Sequence, residues 1–159
     1  MTKTPVTLRA CRPGDLPALM RLFRETVHTV NRRDYTAEQV EAWAPARTDL
    51  GRWRQKFSAE EVVVAERDGQ RVGFCSWTPD GYLDFLYVHQ AHPRQGVASA
   101  LYAEAERALR AKGLERIHTQ VSLTAQPFFM CQGFKVVRHQ TVRVRGVDLP
   151  NIAMEKLFA

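Results

Sequence analysis

Leu86-Tyr87-Val88 leads through His89-Gln90-Ala91-His92 into Pro93-Arg94-Gln95-Gly96-Val97-Ala98, where a β-rich run breaks and a helix begins. Val97, Leu101, Ala105, Ala108 and Leu109 then fall on one helical face, so the helix is predicted from Val97 to Lys112, with Gly113 in the position of a C′ glycine. A helix start leaves four backbone N–H groups without partners, which Ser, Thr, Asp or Asn at the N-cap and acidic residues in the first turn normally meet. Neither is present here, and the first acidic residue is Glu104. Gly96 permits close approach of a ligand to the backbone, Ala98 keeps the floor low, and the helix dipole adds positive character beside Arg94. These residues fit a site for an anion; they fit equally a helix start that is hydrated or met by another segment.

Upstream, Val6 to Ala10 reads as a strand. A helix follows from Leu16 to about His28, with Asp15 as its N-cap and Leu19, Met20, Leu22, Phe23 and Val27 at helical spacing. Tyr35 to Trp43 is a second helix with a Thr36/Gln39 capping box, closed by Pro45, and Asp49 to Phe57 a short third one. The pattern then turns to strands at Val62–Glu66, Val72–Thr78 and Tyr82–Val88. They are separated by Asp68-Gly69 and Pro79-Asp80-Gly81, which predicts an antiparallel meander. Beyond the long helix come a strand from Arg116 to Val121, a short helix from Thr124 to Gln132, and a terminal hairpin through Arg145-Gly146. Pro150 places an edge or a bulge in the last strand. The expected fold is α/β of the α+β kind: a mixed, mostly antiparallel sheet with helices on both faces, forming a single domain over residues 1–159.

A chain of 159 residues that is 45% hydrophobic has enough apolar material for one core without staples. Its apolar runs, such as Val62-Val63-Val64-Ala65, fall far short of the ~20 residues of a membrane span. The first residues lack an apolar run of signal-peptide length, so a cytoplasmic location is expected. Cys11, Cys75 and Cys131 are scattered and odd in number, as expected of reduced structural thiols. The formal charge of +6 is spread along the chain, which disfavours a nucleic-acid partner and suits an anionic small molecule. His89 and His92 have H-x-x-H spacing without an evident third ligand, and no metal is expected. Trp43, Trp53 and Trp77 are read either as core or as lining of a cavity.

The run from Leu86 through Ala98 resembles the signature of the GNAT superfamily of acetyl-CoA-dependent N-acyltransferases, a strand followed by Q/R-x-x-G-x-G/A. A second stretch, Ser122-Leu123-Thr124-Ala125-Gln126-Pro127-Phe128-Phe129-Met130-Cys131-Gln132-Gly133-Phe134, is similar to the family's N-x-x-A-x-x-F-Y-x-x-x-G-F. The resemblance implies acetyl-CoA as cofactor, with coenzyme A as product. It implies that the backbone of Leu86, Tyr87 and Val88 pairs with the pantetheine arm as an added strand. It further implies that amides of Arg94, Gln95, Gly96, Val97, Ala98 and Ser99 hold the pyrophosphate, that Ser122 lies near the pantetheine or the thioester, and that Phe128 and Phe129 wall the groove. Paired subunits are common in the family, so a homodimer is open to this chain. Pro93 replaces the usual Gln or Arg, Ser122 the usual Asn, and Phe129 the Tyr that often protonates the leaving thiolate.

Acyl transfer to an amine requires a neutral nitrogen, and an amine with a pKa near ~10.4 must first lose a proton. Asp84, set among Tyr82, Leu83, Phe85 and Leu86, is the preferred base, its carboxylate desolvated and its pKa raised by those neighbours. A purely structural carboxylate is the alternative. Tyr82 is the second candidate base, and Tyr87, Tyr102, Cys131 or a water are the candidate acids. The resemblance places an oxyanion contact at a backbone N–H near Val88. The reading is transfer of an acetyl group to a primary amine of a small-molecule or peptide acceptor. The alternatives are a non-catalytic acyl-CoA-binding module or, less favoured, a basic nucleic-acid-binding domain.

Overall fold

The computed structural model of the chain describes residues 4–92 and 96–159. In chain order its elements are β1 (Thr7–Ala10), α1 (Leu16–Thr29), α2 (Ala37–Trp43), α3 (Leu50–Ala59), β2 (Glu61–Arg67), β3 (Gln70–Trp77) and β4 (Tyr82–Val88). They continue with α4 (Val97–Ala111), β5 (Arg116–Val121), α5 (Gln126–Cys131), β6 (Lys135–Val144) and β7 (Val147–Leu157). The strands form one seven-stranded sheet in the order β1-β2-β3-β4-β5-β7-β6. Every neighbouring pair is antiparallel except β4 with β5, so the sheet is mixed and mostly antiparallel as expected.

Local chemistry accounts for the elements. Thr36 accepts from the Gln39 N–H while the Gln39 side chain accepts from the Thr36 N–H, so the predicted capping box starts α2. The β2–β3 and β6–β7 turns carry two successive residues at positive φ, Asp68 (53°) with Gly69 (76°) and Arg145 (48°) with Gly146 (79°). That backbone matches the twist of tight hairpins, and the second position favours glycine. Helix α4, with α5, lays Val97, Leu101, Leu109 and Phe129 against Ile117, Ile152 and Met154 on one face of the sheet. Helices α1, α2 and α3 lay Leu19, Phe23, Val27, Val40 and Trp53 against Val64 and Phe74 on the other.

Two local expectations are corrected. Asp15 stands at the start of α1 but makes no cap bond to it. Its carboxylate, 2% exposed, accepts two bonds of 2.8 Å from the Arg9 guanidinium, one of 2.7 Å from Arg71 Nε and one of 2.7 Å from the Arg12 N–H. Two guanidinium groups outcompete the helix N–H groups for a buried carboxylate. Pro150 is not on an edge strand, because β7 lies between β5 and β6. Its ladder with β5 begins only at Ile152, so Pro150 pairs with Thr141 of β6 while its other side meets no strand. The register shift lies in β6, between Val136 and Arg138.

The Arg9 bonds, with help from the Arg12 N–H and Arg71, hold the Asp15 carboxyl far below the ordinary carboxylate range. Asp15→Asn leaves two cations facing a neutral group, and a loss of about 3–5 kcal/mol is expected in urea denaturation at neutral pH. A depressed carboxyl stabilises the fold fully above its unfolded pKa of about 4 and progressively less as pH falls toward the folded value. The gap between wild type and variant should therefore close in acid.

Candidate active site

Strand β4 carries a bulge. Ser76 opposes Phe85 and Trp77 opposes Leu83, so Asp84 is the extra residue. The irregularity shifts the alternation of the strand, sending Leu83, Leu86 and Val88 to the α4 face and Phe85 and Tyr87 to the α1–α3 face. The ladder with β5 ends at the same place. Only Tyr82 with His118 and Leu83 with Thr119 are paired, and Thr119 Oγ1 donates to the Leu83 carbonyl at 2.8 Å. Past that point β5 continues beside β7 while β4 pairs only with β3, so the two strands separate.

The gap opens a cleft of about 660 Å³. Of the residues singled out in the sequence, Tyr82, Asp84, Leu86, Tyr87, Val88, Gly96, Val97, Ala98, Ser99, Ser122, Phe128 and Phe129 all line it. Arg94 and Gln95 lie outside the described residues, as does Pro93. Gly96 has φ 77°, and α4 begins after it without a side-chain cap or an acidic residue in its first turn. The helix seats closely because β3 offers Gly73 beneath it. A Cβ there would lie 2.9 Å from the Tyr87 carbonyl oxygen and 3.1 Å from side-chain carbons of Val97 and Leu101.

Ser122 has structural duties. Its Oγ accepts from the Ala125 N–H at 3.0 Å and from Asn31 Nδ2 at 3.2 Å, organising the turn that precedes α5. Tyr35 fixes the same corner, donating to the Pro150 carbonyl at 2.6 Å and accepting from the Leu123 N–H at 3.0 Å. Along β4 the Val88 carbonyl accepts from Thr26 Oγ1 at 3.3 Å. Phe129 is buried, edge-on to Phe128 and Phe134.

On the α1–α3 side the wall is aromatic. Trp53 packs on Phe23 and Phe85 at 5.2 and 5.0 Å between centroids, and Trp43 packs on Tyr35 at 5.3 Å. Trp53 is thus both core and lining, Trp43 lines the cleft, and Trp77 is buried against the α4 side away from it. Asp84 is the acidic group of this floor, with its Oδ2 2.8 Å from Lys56 Nζ. Lys56 also lies 5.1 Å from the centroid of the Phe85 ring.

Next to it, Glu60 has a raised proton affinity. Burial, then the hydrogen bond with Asp84, push it up to about 7, against the Oγ–H of Ser76, which donates at 2.7 Å. Tyr82 is pushed up to about 12 by burial and by the charges of Asp84 and Glu60. Its phenol keeps its proton at neutral pH, which suits a donor and not a base. Burial also raises the Tyr87 phenol, whose oxygen accepts from Trp43. Tyr102 donates to Glu106 at 2.7 Å, and neither it nor exposed Cys131 lines the cleft. His89 Nε2 pairs with Glu25 at 2.9 Å. Sequence reasoning missed Glu60 and Lys56, since neither falls in a motif. The one available signal was a carboxylate, Glu60, directly before a buried strand.

The opened strand pair and the uncapped helix start of one cleft are the features that the family resemblance led one to expect. The family model described as "Acetyltransferase (GNAT) domain" matches residues 31–157. A curated relative, the uncharacterized N-acetyltransferase YafP of Escherichia coli (strain K12), is 34% identical over 149 residues, 94% of each chain. The chain belongs to the GNAT family of N-acetyltransferases. A GCN5-related N-acetyltransferase from Rhodopseudomonas palustris superposes with a TM-score of 0.94 at 28% identity, covering 99% of both chains. The PaiA N-acetyltransferase of Thermoplasma acidophilum, solved with coenzyme A, shares the fold at a TM-score of 0.72 and 21% identity, over 97% of this chain and 99% of its own.

Gly73→Ala forces either the Tyr87 carbonyl or α4 to move. Overpacking of this kind is expected to cost about 1–3 kcal/mol in urea denaturation.

Proposed function

We propose that this chain transfers the acetyl group of acetyl-CoA directly to a primary amine of a small-molecule or peptide acceptor. The observation that carries the reading is the single cleft in which the separated edge of β4, the uncapped start of α4 and the Asp84 carboxylate all meet. The backbone of Leu86, Tyr87 and Val88 offers the pantetheine amides an extended partner. The N-terminal amides of α4 at Gly96, Val97, Ala98 and Ser99 offer the pyrophosphate hydrogen bonds and the positive end of the helix dipole. Phe128 and Phe129 close the groove with apolar surface. Binding of coenzyme A by the Thermoplasma relative of the same fold supports this assignment.

The acceptor enters from the α1–α3 side, where the aromatic wall excludes water and Asp84 meets its ammonium. Taking one proton exposes the nitrogen lone pair for attack on the thioester carbonyl, and an N–H donor on the β4 edge near Val88 stabilises the oxyanion. The C–N bond forms, the C–S bond breaks, and the second amine proton goes to the thiolate. Phe129 has no proton to give, so that transfer runs directly or through Tyr87 or water. The unit is one domain acting in the cytoplasm, with a homodimer as its proposed assembly; among the described residues no helix is long and apolar enough to cross a membrane.

Thermal unfolding with and without acetyl-CoA tests the cofactor, because a ligand at 100 times its Kd adds about 2.7 kcal/mol. No upward shift at millimolar acetyl-CoA would sink the reading. A thiol-release screen over amines, aminoglycosides, amino acids and peptide N-termini identifies the acceptor. With the best acceptor, Asp84→Asn should lower kcat by about 10²–10⁴-fold while leaving acetyl-CoA affinity unchanged. Unchanged turnover removes Asp84 from the chemistry.

A further inference from the structure

Behind the cleft floor, two carboxyl groups meet. Asp84 is the bulged residue of β4 and its side chain is 12% exposed. Glu60, in the corner between α3 and β2, does not line the cleft; its carboxyl is held on Ser76, opposite Phe85 and next to the bulged Asp84, whose proximity raises its proton affinity. Ser76, fully buried on β3, ties the pair to the backbone: its Oγ accepts the Phe85 N–H at 3.2 Å and donates to Glu60 Oε1 at 2.7 Å. The groups facing Glu60 are Lys56 from α3, Cys75 and Ser76 from β3, and Tyr82 and Asp84 from β4, and Lys56 is the cation among them. Two carboxylates in contact beside one ammonium carry one net negative charge, and one added proton neutralises the cluster.

We propose that Glu60 and Asp84 form a single proton-accepting unit, in which Asp84 meets the acceptor ammonium at the cleft and Glu60 shares the proton from behind. This rests on the acyl-transfer reading and names how its base is tuned. A lone carboxylate with a proton affinity near pH 4 is poorly matched to an ammonium near 10, and a like-charged neighbour raises that affinity toward the working range. Burial first, and the Asp84 carboxyl second, push Glu60 up to about 7, so the proton it holds sits in the working range. In the forward step the ammonium proton passes to an Asp84 oxygen and is held between the two carboxyls. The neutral amine attacks the thioester, its second proton leaves with the thiolate, and the pair returns its own proton to solvent after the amide departs. Glu60 is therefore a positioning residue that acts through Asp84.

The test uses the full chain in two measurements. Isotope-edited NMR of the glutamate side-chain carboxyls follows Glu60 between about pH 5 and 9. In wild type its midpoint should lie near 7, and in Asp84→Asn it should fall by about a unit or more, since the like charge is gone. Rates with the best amine of the thiol-release screen should rise with pH through the same midpoint. Glu60→Gln should remove that limb and lower kcat about tenfold at the pH optimum, with acetyl-CoA affinity and melting temperature retained. A Glu60 that titrates in the ordinary glutamate range, or whose midpoint ignores Asp84→Asn, overturns the pair even in an active enzyme. A pH limb unmoved in Glu60→Gln overturns its use in the reaction. A coupled titration in a chain that turns over no amine overturns the acyl-transfer reading instead.

Discussion

The bulge at Asp84 is the constraint from which the site follows. One extra residue in β4 ends the parallel ladder with β5 after two pairs, turns Phe85 and Tyr87 toward α1–α3, and sets Asp84 at the floor of the opening. Backbone left unpaired inside a protein is costly unless something satisfies it. Here part of the cost is met locally: Ser76 takes the Phe85 N–H, Thr119 supplies the Leu83 carbonyl and Thr26 the Val88 carbonyl. What remains free faces the cleft.

The same strand couples the two halves of the core. Leu83, Leu86 and Val88 pack under α4, while Phe85 and Tyr87 enter the aromatic cluster built on Trp53 and Phe23. The close seat of α4 over Gly73 fixes the helix start relative to the β4 edge, so the two ends of the cleft are held by one piece of sheet. At the opposite edge, Arg9, Asp15 and Arg71 bind β1 and β3 to the turn before α1, away from the chemistry.

Much of this was legible in the sequence because it is local. Helical spacing, the Thr36/Gln39 box, the Asp68-Gly69 turn and the capless start at Gly96 are short-range signals. They led to the elements, the sheet class and the residues that line the cleft. Contacts between distant segments were not legible. Asp15 stands where a cap is expected, and nothing in the sequence shows that Arg9 across the β1 turn and Arg71 on distant β3 converge on its carboxylate. Pro150 signals an edge or a bulge, and nothing in β7 announces that the strand inserts between β5 and β6 just beyond it. Asp84 stood out as a lone carboxylate in an apolar strand. The carboxyl beside it, Glu60, sits at the end of α3, which carries no pattern pointing toward β4.

The opening between β4 and β5 also governs what can enter. An exposed strand edge normally invites any other strand, and long unpaired edges are a route to aggregation. This one lies recessed between α1 and the turn before α5, with β7 extending past the end of β5 on the far side. Lining on both sides shields it from pairing with a sheet of another molecule. The recess turns what would be an assembly hazard into a protected edge.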